Sequence, residues 1–520
     1  MELRKVRPLR AKARVALALG ATMALALSAC GGSTPGDAKT ATKDRITVGV
    51  PTLPIGLDPI TYNDSATQMV YKLVNESLYR YTGPNEISPL LADGMPEISA
   101  DKKTYTIRLK KGVTFTNGDA FDAEDVAFTF QTILNPTNGS YHRSSLTVIK
   151  AVSAVDPQTV KVELNHPYSP FMYQLTRVSM VTSTVAYKAN DTYATTLIGT
   201  GPYKIAKLVR GQEIVLEAND TFREKGVPNI PQVVVKAFPD ANSRLTALKT
   251  DQVQVLPQVS PAAVSTVEKF ANIYRSDSDL VASRFWFWPN QKGGMMTDQR
   301  VRKAITIAID RGRVVETSLR GYGYPISTLP SAREGAVFFN PDAQAWGKEP
   351  QIEEAKKLVT EAGVAGKKLH IVVPTTNATV AAVVDSVQQQ LEAIGFKIER
   401  EDLAQAAALD RLFNGNYDLY ANANTASTGE SGLDATFGLY RIGAAINLNG
   451  VADKELDQLA TEAVQTNDLD NVLERMRKRQ LEYIPDMPIA IGLDLTGLSK
   501  NLDGFKINAF GDYYELAYVK

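Results

Sequence analysis

Among 520 residues there is one cysteine, Cys30, with only three histidines and three tryptophans. A lone thiol excludes an intrachain disulfide, so packing and hydrogen bonds must hold the fold. The histidines, His142, His166 and His370, stand far apart, and none has a His or Cys neighbour at ligand spacing. That argues against an imidazole or thiolate metal site, while a carboxylate-held metal stays open. His370 lies in an apolar run and reads as structural. Neither Gly-x-Ser-x-Gly, His-Glu-x-x-His nor a Gly-x-x-x-x-Gly-Lys-Ser/Thr phosphate loop occurs, so no familiar catalytic set is visible and no cofactor is expected. Excess charge is also missing. The 57 basic and 57 acidic residues cancel. The first 29 residues hold six basic groups and one acid, leaving 51 basic against 56 acidic groups, a net of −5 for the rest. A nucleic-acid or polybasic membrane partner is disfavoured.

What is present begins with the N-terminus. Arg4, Lys5, Arg7, Arg10, Lys12 and Arg14 precede an apolar run from Val15 to Ala29. That run is shorter than the about 20 residues a membrane-spanning helix needs, and it reads as a signal peptide over residues 1–29. It ends Leu27-Ser28-Ala29-Cys30-Gly31, which resembles the lipobox of bacterial lipoproteins. The resemblance implies a diacylglycerol on the Cys30 thiol and several acyl chains anchoring the mature chain to the cell membrane. Gly31 to Asp44 is small and polar, a flexible tether with a span of roughly 20 Å. No later segment is long and apolar enough to cross a membrane, so the folded body should sit outside the membrane without being embedded in it, and the lipobox resemblance implies an extracytoplasmic location.

At this length two or three domains are expected, with the 44% hydrophobic and 22% charged content of a soluble globular protein. Alternation predicts strands at Ile46–Val50, Tyr105–Leu109, Val160–Leu164 and Val233–Val235, and a hairpin from Tyr203 to Leu216 around Arg210-Gly211. Asp122 is placed to cap a helix with Glu124 and Asp125 in its first turn. In Arg284–Asp310 four aromatics precede a Gly293-Gly294 break, and Thr297 or Asp298 can then cap a helix whose stripe is Val301, Ala304, Ile305, Ala308 and Ile309. As a strand, that aromatic run sends Trp286 and Trp288 to one face and Phe285 and Phe287 to the other. From Ile352 onward helix, strand, helix and strand follow as an α/β unit. Helices near Lys454–Val464 and Leu469–Tyr483 come next, and strands at Ile489–Leu493, Phe505–Ile507 and Tyr513–Val519 close the chain.

Several stretches together resemble the peptide- and nickel-type extracellular solute-binding proteins of ABC importers. Lys111, Gly112, Val113, Phe115, Asn117, Gly118 and Ala123 to Val126 fall in the family's order, followed by Gly199-Thr200-Gly201-Pro202-Tyr203. Asp298 to Ile305 with Ala308-Ile309-Asp310-Arg311 gives a third marker, and Glu354 to Leu358, Ala362-Gly363 and Gln390 to Gly395 give later ones. The likeness covers the chain from about Arg45 to its end. It implies an α/β fold, the two-lobed clamshell of type II periplasmic binding proteins with an extra domain inserted in the first lobe. The implied segments are 45–81, 200–288 and 488–520 for the first lobe, 82–199 for the insert and 289–487 for the second lobe. Phe285 to Gly294 and the strand at 488–493 would then be the two crossings between lobes, a hinge closing over a solute.

The resemblance places an acidic anchor for a peptide's amino group in a loop of the second lobe. Here that loop is Ala421–Tyr440, which has no proline and offers Glu430 and Asp434. Tyr62 and Asn63 would face the cleft from the first lobe. Trp286, Trp288 and Tyr417 are candidates to stack on a ligand or to pack core. The expected function is binding without chemistry: a lipoprotein that captures a peptide-like solute and hands it to an ABC permease. A metal chelate, an oligosaccharide or an opine are alternative cargoes, and an extracytoplasmic hydrolase or a receptor feeding a sensor are alternatives of another class.

Overall fold

A computed structural model describes residues 44–62, 65–83, 86–140, 142–168, 170–177, 180–189, 196–275, 283–328, 349–375, 377–425, 437–444, 446–466, 468–502, 505 and 513–519. The signal peptide, Cys30, the tether up to Lys43, Asn63, Glu430, Asp434 and the expected strand Phe505–Ile507 beyond Phe505 lie outside these residues.

Two large sheets dominate. The first has seven strands, in the order Ala271–Arg275, Leu495–Ser499, Val255–Leu256, Arg45–Val50, Gln232–Ala237, Glu213–Ala218 and Tyr203–Val209. Arg45–Val50 runs parallel to both of its neighbours, and the other pairs are antiparallel. Helix Ser65–Val74 contributes Met69, Val70, Leu73 and Val74 to one face, against Ile46, Val48, Val50, Val233 and Val235. On the other face lies a smaller cluster holding Leu248 of helix Ala241–Lys249 together with Leu256 and Leu495. The register of this sheet is specific because both of its faces are buried.

The second sheet has six strands, in the order Gly323–Pro325, Met487–Gly492, Ser283–Pro289, Leu419–Thr425, Lys368–Pro374 and Lys397–Leu403. The last three are mutually parallel, with helix Ala378–Ala393 as the crossover between Lys368–Pro374 and Lys397–Leu403. Trp288 stands opposite Tyr420, and Phe287 opposite Ala421. The alternation expected of the aromatic run is present: Phe285 and Phe287 join one buried cluster with Val301, Ile305, Ala355 and Val384, while Trp286 and Trp288 join another. That second cluster includes Ala408, Leu456, Leu459 and Met476 from helices Gln405–Asn414, Lys454–Gln465 and Leu469–Tyr483. Helices thus cover both faces, as parallel strands require.

A third piece lies between the first strands of the seven-stranded sheet. It holds a two-stranded ribbon, Tyr79–Gly83 with Glu86–Pro89, and a four-stranded antiparallel sheet of Glu97–Ile98, Thr104–Arg108, Thr159–Leu164 and Ile149–Asp156. Helix Ala123–Leu134 covers that sheet. Its N-terminus is a capping box, in which Asp122 accepts from the N–H of Glu124 and Asp125 accepts from the N–H of Asp122.

The aromatic stretch is not itself a passage between lobes. The whole of Ser283–Pro289 is an interior strand of the six-stranded sheet, paired on both sides. The chain leaves the seven-stranded sheet at Arg275 and joins the six-stranded one at Ser283, ahead of the expected boundary at Trp288. It returns between Gly492 and Leu495, beyond the boundary drawn at Pro488. The ending differs too: Tyr514–Tyr518 is a 3-10 helix, not a strand. The buried residues there, Tyr513, Tyr514, Leu516, Ala517 and Val519, follow helical spacing better than alternation.

One carboxylate ties the first lobe together. The Glu76 side chain is fully buried and takes two hydrogen bonds from Arg223, Nη1 to Oε2 at 2.6 Å and Nη2 to Oε1 at 2.7 Å. The Thr200 hydroxyl donates to Oε2 at 2.9 Å and the Tyr514 hydroxyl to Oε1 at 2.7 Å. Burial alone would depress the Arg223 guanidinium, but Glu76 holds it above its usual range. The glycines flanking Thr200 make this approach possible. A Cβ on Gly199 would stand 2.1 Å from the Val74 carbonyl oxygen, and one on Gly201 would stand 2.7 Å from it. Removing one partner of a buried ion pair costs about 3–5 kcal/mol, whereas half-exposed pairs are worth about 1 or less. Urea unfolding of Arg223→Ala should therefore show a loss in the larger range, and Arg80→Ala, which breaks the Arg80–Glu515 contact at 3.4 Å, a loss in the smaller one.

Candidate functional site

Open α/β sheets bind ligands beyond the carboxyl ends of their parallel strands. Strand register brings those ends together here. Ser283 pairs with Thr425 and with Gly492, so the crossing enters the second sheet where Leu419–Thr425 ends. In the first sheet Arg275 pairs with Leu495, and the same strand passes Leu256 at Gly497. That places the crossing beyond Leu256, on the side where the parallel strand Arg45–Val50 also ends. Val50 and Thr425 thus end their strands on the crossing side, and the candidate site is sought on that side.

From the first lobe comes the segment Pro51–Tyr62, organised by the buried Asp58. Its carboxylate accepts from the Ile60 N–H at 2.9 Å, the Thr61 hydroxyl at 2.7 Å and the Tyr187 hydroxyl at 3.0 Å. Burial first, and then the Asp58 charge, push the Tyr187 phenol well above its usual range. The Tyr62 N–H donates to the Asp58 carbonyl at 3.0 Å. Its half-buried ring lies over Gly56, where a Cβ would stand 2.1 Å from the Tyr62 Cε2 atom. Tyr62 is therefore held in one orientation beside the carboxyl end of the first strand.

From the second lobe comes the face bearing Arg284, Trp286 and Trp288. Their rings continue into Tyr420 and Tyr417: centroids are 5.7 Å apart for Trp286–Trp288, 6.2 Å for Trp288–Tyr420 and 6.1 Å for Tyr420–Tyr417. This brings three of the sequence candidates, Trp286, Trp288 and Tyr417, into one aromatic row. The row runs away from the crossing. Trp288 is four residues beyond Arg284, about 13 Å at the strand rise, and Tyr417 lies just before the start of the neighbouring strand. Only Trp286 sits near the carboxyl-end side.

Sequence reasoning missed the polar part of this face. Arg284 is buried, with its guanidinium 5.6 Å from the Trp286 ring centroid. Burial lowers it to about 10, against the upward pull of Tyr440, Asp486 and Tyr324. Asp486 is also buried, and its Oδ2 accepts the Tyr440 hydroxyl at 2.9 Å. Alternation was the available signal: Arg284 shares the face of two tryptophans, where an exposed guanidinium is not expected. Among the described residues, the Trp286 indole N–H and the Tyr417 hydroxyl are buried with no hydrogen-bond partner. Leaving such a group unsatisfied costs about 1–3 kcal/mol.

A polar cavity of about 480 Å³ lies at the opposite end of this sheet, lined by Asn290, His370, Asn416, Tyr417 and Asp418 among others. The His370 N–H donates to Asp418 at 2.9 Å, and its Nε2 stands 3.1 Å from Glu401, which Arg411 also grips. Being at the amino ends of the parallel strands, this cavity is separate from the candidate site. Among the described residues no three His, Cys, Asp or Glu side chains are grouped to hold a metal. The buried arginines of the third sequence marker are structural as well. Arg302 donates to the carbonyls of Ile484, Met296, Thr297 and Tyr483, and Arg311 to those of Ile326, Pro488, Thr306 and Ile309.

Residues 86–438 match the model of the bacterial extracellular solute-binding proteins, family 5. The chain belongs to this family, and its two-lobed fold is that of the type II binding proteins. It is 26% identical over 469 residues to the glutathione-binding protein GsiB of Salmonella paratyphi A, covering 87% of this chain and 90% of that one. NikA from Brucella suis, solved with Fe(III)-EDTA, superposes with a TM-score of 0.81 at 21% identity, over 92% of this chain and 99% of NikA. The oligopeptide-binding protein AppA of Bacillus subtilis, in complex with a nonapeptide, gives 0.75 at 21%, over 91% and 98%.

The buried acid yields a pH prediction. Burial pushes the Asp486 carboxyl up to about 6, against the downward pulls of the Tyr440 hydroxyl and the Arg284 charge. Between about pH 4 and 6 the folded chain keeps a proton there that the unfolded chain has released, so the group's contribution to stability falls as pH rises through that window. Asp486→Asn has no such loss. Measured by urea unfolding, its stability relative to the parent should rise by on the order of 2–3 kcal/mol from pH 4 to pH 7. A difference that stays constant across that range would contradict the assignment.

Proposed function

We propose that the chain is a receptor that closes on a peptide-like solute between its two lobes and delivers it, unaltered, to an ABC permease. The observation that carries this reading is the paired double crossing, which joins two rigid α/β lobes at the side where the loops of both sheets emerge. The named cargo of GsiB, glutathione, is a tripeptide, and the nonapeptide held by AppA points the same way. The chelate in NikA supports a metal chelate as the second reading. Tyr62 with Asn63 from the first lobe and Trp286 from the second are the proposed contacts. Glu430 or Asp434 would face a solute ammonium, while Trp288 and Tyr417, farther from the crossing, pack the face of the sheet away from the solute. Closure follows from the solute's differential affinity for the closed form. We place the protein outside the cytoplasm, anchored through lipid on Cys30, and assign it no catalytic step.

Three measurements test this. Mass spectrometry of material released from the purified protein should find an intact small solute, and incubation with peptides should leave them uncleaved. Calorimetry with tripeptides should give binding that Asp434→Ala or Glu430→Ala weakens at least tenfold, as expected for a buried charge pair. Binding of chelates but of no peptide would move the cargo to the second reading, and cleavage would overturn the receptor assignment. In cells, Cys30→Ser should abolish palmitate labelling and release the protein from the membrane fraction.

A further inference from the structure

The first lobe carries a second feature on the crossing side. Register puts the turn between the strands Tyr203–Val209 and Glu213–Ala218 at the edge of the sheet where Arg45–Val50 ends. Val50 stands opposite Ala237, Lys236 opposite Glu213, and the Ala237 N–H donates to the Gln212 carbonyl at 2.9 Å. A cavity of about 120 Å³ lies between this turn and the segment that follows Val50. Leu53, Ile55 and Leu57 line it from the segment, and Leu208, Val209 and Ile214 from the hairpin.

The walls define what fits. Leu57 and Ile214 belong to the buried core of this lobe, and Leu53 and Leu208 pack partly buried against that core, so the floor is apolar and stiff. The segment is braced as well: the Thr67 hydroxyl donates to the Gly56 carbonyl at 2.9 Å, and the Tyr62 ring lies over Gly56. Ile55, by contrast, stands 87% exposed at the rim. A large aliphatic side chain left in water gains when an apolar group covers it. Among the described residues only Arg210 brings a charge to the lining. An apolar cavity of roughly 150 Å³ takes one benzene ring, so the present one suits a single aliphatic side chain. Pre-formed, mostly apolar hollows of this kind are what small-solute sites are made of. Gly56 lines the cavity and also underlies Tyr62, which makes the hollow continuous with the candidate site.

We propose that this cavity is a side-chain subsite of the first lobe, so that the cargo carries an aliphatic group of the size of a valine or leucine side chain. This rests on the reading of the chain as a receptor for a peptide-like solute, and names the side chain that such a solute presents.

The test uses the mature full chain, freed of bound solute by unfolding in guanidinium and refolding. Calorimetry compares trialanine with the three tripeptides in which leucine replaces one alanine. At least one of the three should bind roughly tenfold or more tightly than trialanine, the gain expected from burying the extra carbons. Combining Ile55→Ser with Val209→Ser should cut that preference to below about threefold. Val155→Ser, at an exposed position of the strand Ile149–Asp156, should leave the preference in place. Ile55→Ser alone, being a change at an exposed position, should unfold in urea at the parent's midpoint and still lower the preference. Leucine peptides that bind no more tightly than trialanine, or a preference that survives the paired substitution, would overturn the proposal. So would unmoved peptide preferences with uptake by cells lost in Ile55→Ser, which would assign the hollow to the permease. Trialanine bound as tightly as the leucine peptides leaves the peptide reading standing, whereas failure of every tripeptide to bind removes that reading too.

Discussion

The first lobe depends on a single buried carboxylate. Its chain is discontinuous, and the pieces must be brought together against the entropy of long intervening segments. Glu76 does this from its place just after helix Ser65–Val74 by accepting from three distant residues at once, Thr200, Arg223 and Tyr514. Each of its oxygens takes two donors, so no lone pair is left facing apolar surroundings. The cluster works only if the backbone at Gly199 and Gly201 presses directly on the last turn of that helix, where the Gly201 N–H donates to the Val74 carbonyl at 2.8 Å. The glycines, the threonine between them, the arginine and the terminal tyrosine are thus parts of one device, although they are spread over most of the chain.

Much of the architecture was legible in the sequence. The strands with one apolar face, the capping box at Asp122, the cap at Asp298 and the helix Leu469–Tyr483 all carry their signal within a few residues. What escaped was non-local. Strand Leu495–Ser499 carries Gly497 at its centre and has buried residues on both faces, so it shows no alternation; the glycine is there because Leu248 packs where a side chain would be, 2.7 Å from its Cβ position. The aromatic run could be read as a strand, but which sheet it joins is a matter of partners, and those lie more than a hundred residues away.

The site divided in the same way. Trp286, Trp288 and Tyr417 could be chosen by residue type, and the structure gathers them, but only register tells which one lies near the crossing. The buried Arg284, Tyr440 and Asp486 could not be assembled from sequence, because they come from three separated segments and charged residues are ordinarily solvent-facing. The same applies to Arg302 and Arg311 in the most distinctive marker. Their charge suggests a ligand, yet they spend their donors on backbone carbonyls, fixing helix ends and the strand at Met487–Gly492.

The paired crossings have a mechanical consequence. Arg275 lies opposite Leu495 at one foot, and Ser283 lies opposite Gly492 at the other, so each end of the double connection is clamped in strand register. Because both feet are fixed by main-chain hydrogen bonds, neither sheet can shift lengthwise against its own foot of the connection without giving up strand pairs, so the register of the two sheets and the placing of the crossing are one and the same constraint.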